Sequence, residues 1–101
     1  MEDDLRDFLE TGKNWERIRT KTPGLFIRKM PGSSRKQPSL AIELNPSDNT
    51  GNPTKKNGIF IRSDTDLETY RELLSLPQIK KILELIRKVN PQEEEERMLN
   101  I

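Results

Sequence analysis

A chain of 101 residues sets one domain as the default, and with 31% hydrophobic and 35% charged residues its apolar core is thin for a monomer. It contains neither cysteine nor histidine, which excludes disulfides, thiolate metal sites, the commonest general base and the commonest transition-metal ligand. The net charge of +1 conceals a segregation: residues 1–12 sum to −4, residues 13–62 to +8 and residues 63–101 to −3, and a central basic block of this kind is a surface for an anionic partner.

Residues 1–12 read as an acidic N-terminal helix or arm. Leu5, Phe8 and Leu9 share one stripe of a short helix over 3–11, and Gly12 is its stop. This acidic start is not a signal peptide, and no apolar run approaches the roughly 20 residues of a membrane span. The expectation is a cytoplasmic protein with no membrane partner. Lys and Glu richness without cysteine suits a thermophile.

Residues 13–90 read as the working domain. Four short strands are expected over 15–20, 24–30, 39–44 and 58–62, the first of them the weakest by pattern. Pro31 to Pro38 makes a hairpin loop between the second and third strands. A longer loop, Asn45 to Asn57, is rich in Asn, Pro, Gly, Ser and Thr, and loops of that length are often functional. Ser63-Asp64-Thr65-Asp66 offers overlapping helix caps, including Thr65 with Glu68. Leu67, Tyr70, Leu73 and Leu74 stripe the helix that follows, which ends near Ser75. Pro77 suits the first turn of a second helix, with Ile79, Ile82, Leu83, Ile86 and Val89 on its apolar side and Asn90-Pro91 at its end. Residues 91–101 read as an acidic tail: Glu93 to Glu96 precede Met98, Leu99 and Ile101, a pattern that suits a solvated helix end or a contact for a protein partner. The fold class is therefore α+β: a curved antiparallel sheet of 3–4 strands with the C-terminal helices packed on one face.

Strand alternation then sorts the side chains. Leu25, Ile27, Leu40, Ile42, Leu44, Ile59 and Ile61 point one way, toward the helices. Trp15, Arg17, Arg19, Phe26, Arg28, Phe60 and Arg62 point the other way, and two strands repeat one pattern, Leu-Phe-Ile-Arg and Ile-Phe-Ile-Arg. Aromatic rings interleaved with arginines suit unpaired bases and their phosphates. Arg35, Lys36, Lys55 and Lys56 on the loops are placed to track a backbone. The competing reading makes Phe26, Phe60 and Trp15 core or dimer interface.

The stretch Ile42 to Leu74, about a third of the chain, resembles the DNA-binding domain of the positive-cofactor-four transcriptional coactivators. The matching residues are Asn45-Pro46-Ser47-Asp48, Gly51, Pro53, Lys55-Lys56, Gly58-Ile59-Phe60-Ile61 and the helix from Thr65. The resemblance implies paired channels for single-stranded DNA, formed by curved sheets from two subunits with the helix at the dimer interface. The second helix and acidic tail depart from that plan. With the size, the charge and the absent cysteine, they are similar to the ThermoDBP-type single-strand-binding proteins of thermophilic archaea, which implies a sheet and aromatic cleft for DNA and oligomerisation through C-terminal helices.

The expectation is a protein that binds single-stranded DNA with little sequence preference, in support of replication, repair or transcription. Stacking accepts RNA as well. A homodimer through the C-terminal helices is expected, with no cofactor, no metal and no catalysis. A Ser/His/Asp set cannot form without histidine, and the basic block holds only Glu16, Glu43 and Asp48 as acids. The alternative is a protein-interaction module or transcriptional coactivator whose exposed aromatics contact a protein partner.

Overall fold

The computed structural model describes residues 1–91, so the expected acidic tail, Pro91 apart, lies outside the described residues. The architecture is α+β. Helix α1 (Glu2–Thr11) is followed by strands β1 (Arg17–Arg19), β2 (Leu25–Met30), β3 (Ser39–Leu44) and β4 (Ile59–Ile61), then by helices α2 (Asp64–Leu74) and α3 (Pro77–Val89). The strands form an open antiparallel sheet in the order β1-β2-β3-β4. The chain divides into two compact units at Leu67 and Glu68, inside α2.

Each element has a local cause. Three acids in its first turn favour α1 through the helix dipole. Gly12 ends α1 with extended backbone, φ −67° and ψ 154°, and its N–H donates to the Phe8 carbonyl at 2.8 Å. Glycine is needed there for space, not for a left-handed turn: a Cβ would lie 2.6 Å from the Phe8 ring. The cap of α2 is Ser63, whose Oγ accepts from the Asp66 N–H at 3.1 Å, while Asp66 Oδ2 accepts from the Arg62 N–H at 3.0 Å. Of the overlapping caps the sequence offers, Ser63 is the one used, and the helix starts at Asp64. Pro77 opens α3 as the sequence predicts.

The register separates the faces. Ile18, Ile27, Ile42 and Ile61 align across all four strands, as do Leu25, Leu44 and Ile59 across three. On the opposite face, Arg19, Phe26, Glu43 and Phe60 form one row, and Arg17, Arg28 and Ala41 another. Phe8, Phe26, Met30, Ala41 and Ile61 are buried, and so are Arg28, Lys29, Glu43 and Asn45. Much of the interior of this unit therefore lies on the polar side of the sheet.

Candidate nucleic-acid interface

The polar face is covered by the loop from Asn45 to Gly58. Its centre is Glu43, which is 0% exposed. Its carboxylate accepts five hydrogen bonds: from Arg17 Nε at 2.6 Å, Arg17 Nη2 at 3.1 Å, Arg28 Nη1 at 3.1 Å, Asn45 Nδ2 at 3.2 Å and the Gly58 N–H at 2.7 Å. Burial alone would raise the Glu43 pKa. The Arg17 hydrogen bond, then those from Gly58, Asn45 and Arg28, outweigh it and lower the pKa to about 2.

The same groups fasten the loop. Asn45 donates to the Lys55 carbonyl at 2.8 Å and accepts from the Lys55 N–H at 3.1 Å. Arg17 donates to the Lys56 carbonyl at 2.9 Å, and Arg28 to Asn57 Oδ1 at 3.3 Å. Gly58 approaches the β3 backbone so closely that a Cβ would sit 2.1 Å from the Leu44 carbonyl oxygen. Farther out, Asp48 accepts from the N–H groups of Thr50 and Asn52 and from the Thr50 hydroxyl. The Thr50 and Asn52 bonds hold its carboxyl below the usual range. Arg19 donates to the Thr50 carbonyl and to Asn52 Oδ1, bracing this end of the loop against β1.

The sequence-predicted site residues therefore separate into groups. Phe26 and Arg28 are 2% and 6% exposed, so the face on which they lie is interior and not an open platform. The physical reason is Glu43: one carboxylate on a basic face pairs with both Arg17 and Arg28 and lets the loop close over them. The Arg17 guanidinium lies 5.4 Å from the Phe26 ring centre. Arg62 lies past the end of β4 and lines a groove with Ile27, Ile42 and Ile61 on the aliphatic side, away from the other arginines. Arg19, Arg35, Lys36, Lys55 and Lys56 are exposed.

Trp15 is placed by an irregularity. It lies outside β1, in a turn closed by the Glu16 N–H to the Lys13 carbonyl at 3.0 Å. Its own N–H donates to the Lys29 carbonyl, and the Lys29 N–H donates to the Glu16 carbonyl. Residues 15 and 16 thus oppose one residue of β2, a bulge whose first position favours glycine. Trp15 holds that position with φ 68°, a left-handed conformation that costs a bulky residue about 1–3 kcal/mol. The bulge turns its ring over the sheet. The ring lies 6.2 Å from that of Phe60, and the Arg28 guanidinium lies 5.8 Å from the Trp15 centre and 5.4 Å from the Phe60 centre. Trp15 remains 48% exposed and lines a small cleft with Arg28, Lys56 and Asn57.

Sequence reasoning missed Glu43, Asn45, Asn57 and Gly58 as site residues. It also missed Lys29, which is buried and donates from Nζ to the Gly12 carbonyl at 2.9 Å, tying the end of α1 to β2. Among the described residues no group of three or more acidic side chains is placed to hold a metal ion, and no helix is long and apolar enough to cross a membrane. Comparison with protein families, curated proteins and solved structures gives no match for this chain.

Proposed function

We propose that the protein binds single-stranded nucleic acid, DNA in the first place, with little sequence preference, and that it is a binding protein and not an enzyme. The observation that carries this reading is Trp15: a half-exposed ring in a strained bulge, set over a buried arginine and beside Lys56. Base stacking on an exposed aromatic ring is tolerant of sequence, and lysines on the adjoining loop suit the phosphates. The contact surface proposed is the rim of the closed polar face, formed by Trp15, Lys55 and Lys56 with Phe60 partly buried beneath, and not the sheet face itself. Arg17, Phe26 and Arg28 support that rim from below.

The test is fluorescence anisotropy with labelled single-stranded DNA, duplex DNA and RNA across a salt series. Single strands are expected to bind most tightly, and log affinity is expected to fall linearly with log salt. Equal affinity for duplex, or no dependence on salt, contradicts the reading.

A second reading, self-association, is favoured by the helices. Leu76, Ile79, Ile82, Leu83 and Ile86 leave the start and apolar stripe of α3 36–53% exposed, and an amphipathic helix of this kind is stable only with its apolar side covered. We propose a homodimer through α2 and α3. Sedimentation that stays monomeric at high protein concentration contradicts it.

A further inference from the structure

The cleft beside Trp15 is built from groups of different chemistry. One wall is the open side of the Trp15 ring, 48% exposed. Its floor is Arg28, held by Glu43 and Asn57, with Nε buried and unpartnered among the described residues. Its outer edge is Lys56, whose carbonyl is fixed by Arg17 while its ammonium group is exposed. Asn57 accepts from Arg28 through Oδ1, and among the described residues its amide nitrogen has no acceptor. The Phe60 ring lies 6.2 Å from that of Trp15 and supports it from outside the cleft lining. A glycine would occupy the Trp15 backbone conformation without strain, so the ring, and not the turn, gives the cleft its character.

We propose that this cleft is a subsite for a single nucleotide of the bound strand. One base stacks on Trp15, its phosphate meets the Lys56 ammonium group, and the Asn57 amide nitrogen donates to an acceptor on the base edge. Every nucleobase carries such an acceptor, a ring nitrogen or a carbonyl oxygen, so the subsite discriminates weakly. The guanidinium of Arg28, 5.8 Å from the Trp15 ring centre, helps to hold the ring in place. The proposal rests on the single-strand reading above and adds that one base, and not a row of bases, supplies most of the stacking affinity.

Trp15 is the chain's single tryptophan, so emission excited at the red edge, where Tyr70 does not absorb, reports this cleft alone. Three octamers are titrated: all-thymine, wholly abasic, and abasic with one central thymine. The one-base octamer is expected to quench Trp15 as fully as the all-thymine strand and to bind about tenfold or more tighter than the abasic one. Further bases are expected to add less than that first one. Trp15→Phe is expected to weaken the one-base octamer several-fold, and Lys56→Ala is expected to lower the salt slope by about one. Trp15→Gly, which suits the backbone, is expected to fold and to bind the one-base and abasic octamers equally. The proposal is overturned, with the single-strand reading intact, if the all-thymine octamer binds by anisotropy without changing Trp15 emission, or if affinity rises evenly with each base. If the all-thymine octamer does not bind at all, both fall.

Discussion

On one side of the sheet a carboxylate, an amide and a guanidinium, those of Glu43, Asn45 and Arg28, keep 0%, 1% and 6% of their exposure; on the other, Ile42, Leu44 and Ile59 keep 42%, 37% and 40%. Hydropathy alone would assign these faces the opposite way. The difference shows what burial requires. Charged groups enter an interior when each is paired and hydrogen-bonded, and the five bonds to Glu43 meet that condition. The aliphatic rows make no such demand, because isolated apolar surface is tolerated in water at modest cost. A contiguous apolar patch is nonetheless a surface on which a second chain gains stability.

Removing Glu43 should break this contrast most severely. Glu43→Ala leaves Arg17 and Arg28 without their counter-ion and is expected to cost about 3–5 kcal/mol, read from urea unfolding. A loss below about 1 kcal/mol would show the network to be peripheral.

The same carboxylate fixes the acid response. Its folded pKa, about 2, lies below the ordinary value of 4.5. Its contribution is therefore fully present above about pH 4.5 and is lost as pH falls toward 2, on the order of 3 kcal/mol over that window. Glu43→Gln should be less stable at neutral pH and should flatten the stability profile between those values. An unchanged profile would contradict the assignment.

Gly58→Ala tests the loop closure at its tightest point. The added Cβ meets the Leu44 carbonyl at 2.1 Å, and the backbone shift needed to relieve it is expected to cost about 1–3 kcal/mol. Thermal unfolding reads the loss, and single-strand affinity should fall with it. On the aliphatic face, Ile42→Ala is expected to cost only about 1 kcal/mol, because the side chain is already partly solvated. A loss as large as that of Glu43→Ala would show that the aliphatic face is the true core and would reverse the comparison.

Much of the fold was legible in the sequence. The alternation of Leu25-Phe26-Ile27-Arg28 and Ile59-Phe60-Ile61 sorted which side chains share a face, and the register bears that grouping out for Arg17, Arg19, Phe26, Arg28 and Phe60. Pro77 and the stripe of α3 placed that helix. What alternation does not encode is which face a loop will cover. The signal was Glu43, the one acid sharing a face with Arg17 and Arg28. An acid among arginines on one face, next to an Asn- and Gly-rich loop, is the pattern of an internal ion cluster. Trp15 was grouped with the face by strand period, but it reaches the face through a bulge, and a left-handed φ at a tryptophan has no signature in composition or spacing. Arg62 followed the period on paper but falls beyond the last strand pair, where the chain turns toward α2.

Glu43 holds the Asn45–Gly58 loop closed over the polar face, and amide hydrogen exchange at Gly58 reads that closure. Gly58 is not paired in a strand ladder, and its N–H donates to Glu43 at 2.7 Å. This amide is expected to be protected in the native protein. In Glu43→Gln it should exchange at least tenfold faster, with the Lys55 amide, while amides of the β2–β3 ladder keep most of their protection. A Gly58 amide that exchanges in the native protein as fast as an open loop would contradict it.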